Sequence, residues 1–227
     1  MAANVNPGIS IVVSGPSGVG KDTVKKLVAN KLNLSTLATC TTRLPREGEV
    51  DGVDYHFLTR KSFLEAWSNG ELLDFTEFAG NYYGLPLVNL EDQLLAGKDV
   101  ILDLVPQAAK SLKKLDPRTI LVFIGPPSES TIVERLKGRG MCDSEIRERL
   151  RDEPATFATA SSFDFVVINY DDEAEMTAER ITSFIDAKKV DFGSVLSQQS
   201  KYPKLALCIQ NYLQHKTKVN LMKRTQS

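Results

Sequence analysis

A glycine-rich loop between a predicted buried strand and a predicted helix limits most strongly what this chain can fold into. Ile9 to Ser14 form a short, β-branched apolar run, the pattern of a strand buried on both faces of a parallel sheet. Residues 15–21 (GPSGVGK) follow at once, and apolar residues then recur every three or four positions from Lys21 to Leu32. This order of strand, loop and helix predicts a phosphate-binding loop at the edge of an α/β sheet.

Three more buried strands are predicted along the chain, and stretches that favour helices separate them. The strands cover Val100 to Val105, Thr119 to Ile124 and Phe163 to Ile168. Helices are predicted at residues 61–69, 87–96, 129–137 and 173–189. Because strands and helices alternate, we expect an α/β protein with a doubly wound, parallel-sheet core.

Two segments interrupt this alternation, and a basic tail follows it. Residues 39–83 are rich in glycine and aromatic residues around one helical stretch, which predicts an inserted, partly β subdomain. Residues 135–151 carry many arginines together with Gly138 and Gly140, a pattern typical of a mobile, charged flap. After Asp191 the chain has basic residues but no acidic ones, and we expect a short helix from Pro203 and no role of this tail in the chemistry.

Composition and charge exclude several function classes. The 227 residues are 42% hydrophobic and 25% charged with a formal net charge of -1, so neither nucleic acid nor a membrane is an expected partner. The three cysteines show no C-x-x-C spacing, and two histidines are too few for a histidine zinc cluster. No apolar run reaches the ~18 residues of a membrane span and no signal peptide is recognisable, so we expect a cytoplasmic enzyme.

The glycine loop has the composition that phosphate binding requires. Its three glycines allow backbone N–H groups to turn toward a phosphate, and Lys21 can reach the β- and γ-phosphates of a nucleotide. Asp22 stands where a hydroxyl residue usually follows the lysine, and Thr23 comes next. Since a carboxylate is a good oxygen ligand for Mg²⁺, Asp22 is the candidate metal ligand and Thr23 its competitor. The loop alone does not distinguish kinases from GTPases or motor ATPases.

Further motifs separate these classes. Residues 41–57 (TTRLPREGEVDGVDYHF) closely resemble the GMP-binding signature of the guanylate kinase family, and residues 80–84 (GNYYG) resemble its second signature. With the glycine loop, residues 138–140 (GRG) and residues 163–169, the similarity covers residues 9–190. The resemblance implies a P-loop kinase that transfers the γ-phosphoryl group of ATP to GMP, uses Mg²⁺ with ATP, and accepts dGMP as a second substrate.

The same resemblance implies how the chain is divided. It assigns residues 1–38, 93–128 and 158–190 to an ATP-binding core, residues 39–92 to a GMP-binding subdomain, residues 129–157 to an arginine-rich lid, and residues 191–227 to the basic tail. Closure of such a lid would bring the two nucleotides together and exclude water.

Candidate site residues follow from the family motifs. The resemblance implies that ATP is bound by Gly15, Pro16, Ser17, Gly18, Val19, Gly20, Lys21, Asp22, Thr23 and Asn169. It implies that GMP is bound by Thr39, Arg43, Arg46, Tyr55, Asp74, Tyr83 and Asp103. It implies catalytic roles for Lys21, Arg46, Arg139 and Arg149. Three other arginines of the flap are expected to be solvated or to pair along a helix, namely Arg135, Arg147 and Arg151.

The chemistry of these residue types agrees with the assignments. Arg43 and Arg46 can form forked hydrogen bonds to the phosphate of an acceptor. The Asp74 carboxylate can accept from guanine N1–H and the 2-amino group, and adenine offers neither donor at those positions. Asp74 and Thr39 stand where the family typically has glutamate and serine.

Two further departures from the family pattern, Leu85 and Val105, replace a small hydroxyl residue and an aspartate. Two alternatives stay open beside the kinase interpretation. One is a kinase of another small phosphate ester such as ribose 1,5-bisphosphate, because those relatives also carry Gly-Lys-Asp. The other is a guanylate-kinase-like interaction module without activity, although such modules usually lose the lysine that this chain has at position 21. The sequence leaves the oligomeric state open.

Overall fold

The computed structural model describes residues 7–78, 80–151 and 153–196, without the side chains of Asp74, Phe78 and residues 191–196. It is an α/β structure with two sheets. The strands are β1 Ser10–Ser14, β2 Ser35–Thr36, β3 Thr39–Thr41, β4 Tyr55–Phe57, β5 Leu72–Phe78, β6 Asn81–Pro86, β7 Val100–Asp103, β8 Ile120–Gly125 and β9 Phe165–Ile168. The helices are α1 Lys21–Leu32, α2 Arg60–Ser68, α3 Leu87–Leu95, α4 Pro106–Leu115, α5 Glu129–Gly138, α6 Asp143–Arg151, α7 Glu153–Ala158 and α8 Ala174–Leu196, with a 3-10 helix at Ala160–Ser162.

The larger sheet has five parallel strands in the order β2-β7-β1-β8-β9. Every residue of β1 and β8 is buried, as expected for β-branched strands that are covered on both faces. Successive residues of β1 alternate between two apolar clusters, since Ile11 and Val13 pack toward α1 and α8 while Val12 packs toward α3 and α4. The predicted α/β fold with a parallel-sheet core is confirmed.

The order of the strands brings functional residues of distant segments together. In the register of β1 and β7, Val13 lies beside Asp103, so the loop that follows β1 begins next to the end of β7. Because the carboxyl ends of parallel strands share one edge, residues 15–21 and Asp103 lie at the same edge of the sheet.

The smaller sheet has four strands in the order β4-β3-β6-β5. Strands β3 and β4 are parallel, and β6 is antiparallel to both β3 and β5. Helix α2 covers this sheet through Phe63, which packs with Cys40 and Leu72. These strands lie in the part of the chain that was expected to be partly β, and its action as a separate subdomain stays a prediction.

Most predicted elements agree with the structure to within two residues, and α1 has the predicted bounds. The predicted end of the last helix is wrong, because α8 continues past residue 189 to Leu196. The tail was delimited by a change in charge, and a change in charge does not end a helix. The expected helix from Pro203 lies outside the described residues. In the part of the chain that the structure describes, no helix is long and apolar enough to cross a membrane.

Candidate nucleotide-binding site

A cavity opens at the carboxyl edge of the larger sheet, between that sheet, the smaller sheet and helices α5 to α7. Ten of the predicted site residues outside the glycines and serine of the loop line this cavity: Lys21, Asp22, Thr39, Arg43, Arg46, Tyr55, Tyr83, Asp103, Arg139 and Arg149. Gly15, Ser17 and Gly18 line it through the glycine loop. The side chain of Asp74 is outside the described part, but its strand β5 pairs with β6 beside Leu85 of the lining.

The phosphate loop, residues 15–21, joins β1 to α1 as predicted. Gly15, Gly18 and Gly20 have φ values of 142°, 82° and 87°. A residue with a side chain would be strained in these backbone conformations. A Cβ atom on Gly15 would also lie 2.1 Å from the carbonyl oxygen of Ile124 on β8, so only glycine fits there. Lys21 Nζ donates to the carbonyl oxygens of Gly15 at 2.9 Å and Pro16 at 2.7 Å, which places the ammonium group inside the loop.

The phosphate loop is supported from behind by two side chains of later segments. Asn169, which is buried, donates from Nδ2 to the carbonyl oxygen of Val19 at 2.8 Å. Arg135 donates to the carbonyl oxygens of Val19 at 3.2 Å and Asn169 at 3.1 Å, and it pairs with Asp171 at 2.7 Å. The prediction that Arg135 is solvated or pairs along its own helix is therefore wrong. Sequence spacing missed these contacts because Val19 and Arg135 lie 116 residues apart.

Arg147 and Arg151 of the same segment are exposed, and Arg151 lies 3.7 Å from Glu148 along α6, so for these two the expectation is confirmed. Pro16, Val19 and Gly20 belong to the phosphate loop but do not line the cavity, and Thr23 is exposed on α1.

The acceptor loop, residues 42–54, faces the phosphate loop across the cavity. Its Arg43 forms two hydrogen bonds of 2.9 Å with the carboxylate of Glu49, and its guanidinium lies 5.3 Å from the ring centroid of Tyr55. Burial of the Arg43 guanidinium opposes its charge, but the hydrogen bonds and charge of Glu49 raise the pKa of Arg43 overall. Glu49 also accepts from the backbone N–H of Arg46 at 2.7 Å. The Glu49 carboxylate thus holds the guanidinium of Arg43 and the backbone of Arg46. Glu49 lies within the sequence motif, but the motif alone did not identify this role.

Tyr55 and Tyr83 stand beside each other on the smaller sheet, with ring centroids 6.5 Å apart. Burial, followed by the negative charges of Asp103 and Asp22, raises the pKa of Tyr55, so its hydroxyl stays a hydrogen-bond donor at neutral pH. Thr39 and Leu85 lie opposite each other in the continued register of β3 and β6, and both line the cavity.

Arg149 reaches the cavity from α6 and donates from Nη1 to Ser17 Oγ at 3.0 Å. Burial lowers the pKa of Arg149, and the positive charges of Arg46 and Arg43 lower it further. The guanidinium groups of Arg46 and Arg43 thus repel that of Arg149, and an anionic ligand beside them would relieve this repulsion. Arg139 follows α5 and lines the same space.

Two carboxylates share the cavity with these cations. Burial raises the pKa of Asp103; the positive charges of Lys21 and Lys25 oppose this shift, and the negative charge of Asp22 adds to it. Among the described residues no group of three or more histidine, cysteine or acidic side chains forms a complete metal cage. Asp22 and Asp103 alone could therefore supply only part of a coordination shell.

A parallel sheet whose first strand leads through a glycine loop into a helix, with a lysine in the loop, defines a P-loop nucleotide-binding protein. The family model for guanylate kinase matches residues 8–188 of the chain. The chain belongs to the guanylate kinase family.

Similar proteins support this assignment over nearly their whole length. A guanylate kinase of Lactococcus lactis subsp. lactis (strain IL1403) is 42% identical over 193 residues, covering 84% of this chain and 93% of the relative. A guanylate kinase of Listeria innocua serovar 6a is 36% identical over 197 residues, covering 86% and 95%. The crystal structure of guanylate kinase from Anaplasma phagocytophilum is 30% identical with a TM-score of 0.63, covering 81% of this chain and 87% of that one.

Proposed function

We propose that this protein transfers the γ-phosphoryl group of ATP to GMP, giving ADP and GDP, and that it also accepts dGMP. The observation that carries the proposal is one cavity with a lysine-bearing phosphate loop on one wall and a pair of arginines with two tyrosines on the other. Such a cavity can hold two phosphate groups end to end. The names of the relatives favour GMP over the alternatives of ribose 1,5-bisphosphate and of a module without activity.

On the donor side, residues 15–23 would bind the ATP phosphates, with the backbone N–H groups at the start of α1 as principal donors. Gly20 caps α1 without a side-chain hydrogen bond, and it leaves this positive helix end directed at the ligand. Lys21 would neutralise the β- and γ-phosphates. Asn169 would contribute by holding the carbonyl oxygen of Val19 and thereby the shape of the loop.

On the acceptor side, Arg43, Arg46, Tyr55 and Tyr83 would bind the GMP phosphate. The two hydrogen bonds that Arg43 donates to Glu49 orient its guanidinium before a ligand arrives, which lowers the entropic cost of binding. Thr39 and Asp74 would recognise the guanine ring, and Asp103 would contact the acceptor near the metal. Cavity lining supports the roles of Thr39 and Asp103, and for Asp74 the support is that its strand β5 pairs with β6 beside Leu85.

Mg²⁺ fits the carboxylates that are present. Asp22 and Asp103 both line the cavity and the charge of Asp22 acts on Asp103, so these two carboxylates would hold the ion. With two carboxylates, the remaining ligands would be phosphate oxygens and water, as is usual for this ion. When bound, Mg²⁺ neutralises phosphate charge and thereby aids transfer.

In the reaction, an oxygen of the GMP phosphate bonds to the γ-phosphorus of ATP while the bond from that phosphorus to the β,γ-bridging oxygen breaks. The protein aligns the groups and stabilises the charge on the migrating phosphoryl group. Arg46, Arg139 and Arg149 would supply that charge beside Lys21. Residues 129–157 would act as the lid, residues 39–92 as the GMP-binding subdomain, and the whole as a cytoplasmic enzyme.

Release of ADP can be measured with GMP, dGMP, AMP, CMP, UMP and ribose 1,5-bisphosphate as acceptors. We expect GMP to give the highest kcat/KM, with kcat in the ~1–100 s⁻¹ usual for kinases. Higher activity with ribose 1,5-bisphosphate, or none with any acceptor under saturating ATP and Mg²⁺, would contradict the proposal.

Base recognition by Asp74 can be tested with Asp74→Asn, which exchanges one acceptor oxygen for a donor. Because a good bidentate base contact contributes ~1–3 kcal/mol, kcat/KM for GMP should fall about 5- to 150-fold while KM for ATP stays the same. Glu77→Gln, at an exposed position of the same strand, is the matched control. Equal kcat/KM in Asp74→Asn and the native protein would move base recognition to another residue.

The metal assignment can be tested by binding alone. Equilibrium titration of ATP with and without Mg²⁺ should show that metal-free ATP binds Asp22→Ser better than the native protein, because the carboxylate repels the polyphosphate. Mg²⁺ should improve ATP binding more in the native protein than in Asp22→Ser. If Asp22→Ala matches the native protein and Thr23→Ala alone loses the Mg²⁺ effect, Thr23 is the ligand instead.

A further inference from the structure

One acidic side chain touches the phosphate loop and has no part in the proposed chemistry. Glu153, the first residue of α7, has only 5% of its surface exposed. Its Oε1 accepts a hydrogen bond from the backbone N–H of Ser17 at 3.1 Å. The backbone N–H of Ser17 in the phosphate loop therefore donates to a carboxylate of the protein itself.

Ser17 also carries the contact from Arg149. Arg149 Nη1 donates to Ser17 Oγ at 3.0 Å, while the Ser17 N–H donates to Glu153. Two residues that are four positions apart in sequence, one on α6 and one on α7, thus hold the backbone and the side chain of the same loop residue. Both contacts span more than 130 residues of sequence, so no local structure imposes them.

The location of these contacts gives them a consequence for Arg149. This arginine is partly buried beside Arg46 and Arg43, whose positive charges repel it. Its hydrogen bond to Ser17 Oγ keeps it beside the cavity, and that bond needs Ser17 to be fixed in orientation. The bond from the Ser17 N–H to Glu153 supplies this orientation, because it fixes the peptide plane that precedes the Ser17 side chain.

We propose that Glu153 is a positioning residue, which attaches the start of α7 to Ser17 of the phosphate loop and thereby sets Arg149 against the migrating phosphoryl group. The role requires an oxygen acceptor at the end of a side chain of this length, and it does not require the negative charge. Glutamine keeps that oxygen, aspartate shortens the side chain by one methylene, and alanine removes it.

The proposal is tested by comparing Glu153→Gln, Glu153→Asp and Glu153→Ala with the native protein. We expect kcat to fall about 10- to 100-fold in the alanine and aspartate variants, the range for a misplaced group at the reacting centre. The glutamine variant should stay within about threefold of the native kcat. Its side-chain oxygen can still accept from the Ser17 N–H, so little transition-state stabilisation is lost. KM for ATP and GMP should change little in all three, since no substrate contact is removed.

Two controls accompany the kinetics. Glu148→Gln alters an exposed glutamate of α6, 3.7 Å from Arg151, and should leave kcat as it is. Hydrogen exchange of the Ser17 amide, measured without nucleotide, should be slow in the native and glutamine variants and faster in the alanine and aspartate variants. If the alanine variant does not fold, the aspartate and glutamine variants give the same comparison.

Equal loss of kcat in the glutamine and alanine variants would overturn the proposal, because charge would then be the property that matters. Native turnover in Glu153→Ala, or a Ser17 amide that exchanges equally fast in the native protein and in that variant, would overturn it as well. The kinetic arm rests on the proposed function, whereas the exchange arm does not. If GMP is not phosphorylated but the Ser17 amide is protected from exchange, the proposed substrate is wrong. The contact between Glu153 and Ser17 is then still supported.

Discussion

The phosphate loop and the acceptor loop face the same cavity, but the protein holds them in different ways. The phosphate loop is fixed by the interior: Ile124 of β8 lies against Gly15, and Asn169 and Arg135 bind the carbonyl oxygen of Val19. The residues that hold it come from β8, α5 and the end of β9, far away in sequence. Its shape is thus a property of the whole core.

The acceptor loop is fixed by its own side chains. Glu49 binds Arg43 and the backbone of Arg46, and Asp54 accepts from the N–H of Val50 at 2.9 Å. Much of the loop is exposed, including 83% of Leu44. A substitution that moves the backbone of the phosphate loop should therefore lower both the stability of the core and the activity. Substitutions in the acceptor loop should have only small effects on the fold.

The largest expected effect on turnover is that of Lys21→Met. Removal of the ammonium group leaves the phosphate charge unbalanced during transfer, and turnover should fall at least about 100-fold. The core should be preserved, since in the described part of the chain Lys21 donates to carbonyl oxygens of its own loop, so Tm should stay within about 4 °C of the native value. Steady-state ADP release and thermal unfolding measure the two quantities.

Lys26→Met is the matched control for this prediction, because Lys26 is exposed on the same helix outside the cavity. Its turnover should equal that of the native protein. Near-native turnover in Lys21→Met would show that the phosphate loop is not the donor site.

The largest expected contrast in stability is between Gly15→Ala and Gly48→Ala. Both glycines have positive φ, but the new methyl group at position 15 would meet the Ile124 carbonyl oxygen at 2.1 Å, and at position 48 it meets nothing within 4 Å. We expect a loss of about 3 kcal/mol in free energy of unfolding for Gly15→Ala. For Gly48→Ala we expect about 1–2 kcal/mol from backbone strain alone.

Urea unfolding of both variants measures this difference, and ADP release shows whether activity follows it. Losses of equal size at the two positions would contradict the distinction between a loop held by the core and one held locally.

The smallest expected effect is the pH dependence of the pair between Glu49 and Arg43. Burial of Glu49 opposes its charge, but the hydrogen bond from Arg43 lowers its pKa below the ordinary 4.5. A lowered folded-state pKa stabilises the fold above that ordinary value, and the contribution is lost as the pH falls through the folded-state pKa. Glu49→Gln should therefore be less stable by about 0.5–1 kcal/mol at pH 7, and this gap should close below pH 4.5.

Urea unfolding between pH 7 and pH 4 measures the gap, with Glu65→Gln as the control at an exposed helical position 4.0 Å from Lys61. A gap that is the same at both ends of this range would mean that Glu49 acts through packing and not through its charge.

The elements that could be predicted are those whose pattern is local. Helix α1 has the predicted bounds because an apolar period begins directly after the glycine loop and ends at Leu32. Strand β7 begins at Val100 as predicted for the same reason, but it ends at Asp103, two residues before the predicted end at Val105. Ten residues that line the cavity, besides the glycines and serine of the loop, could be named because they lie in or beside short motifs that resemble those of the family.

The supporting contacts could not be predicted. Arg135 resembles any other arginine of an arginine-rich segment, and its partners Val19 and Asn169 meet it only after the sheet has formed. Glu153 reaches Ser17 across 136 residues of sequence for the same reason. The end of α8 was misjudged because the apolar positions used to predict this helix end at Ile185, whereas the helix continues to Leu196. Local pattern therefore identifies many of the groups that line the cavity, and tertiary structure identifies those that hold them in place.

Transfer of the phosphoryl group from ATP at the phosphate loop to GMP at the acceptor loop can be followed with ATP labelled in its γ-phosphate. The native protein is incubated with labelled ATP, Mg²⁺ and GMP, and the nucleotides are separated. We expect the label to appear in GDP in step with the formation of ADP, and we expect Lys21→Met to abolish both. Label released as inorganic phosphate, or ADP formed at the same rate without GMP, would contradict the proposed transfer.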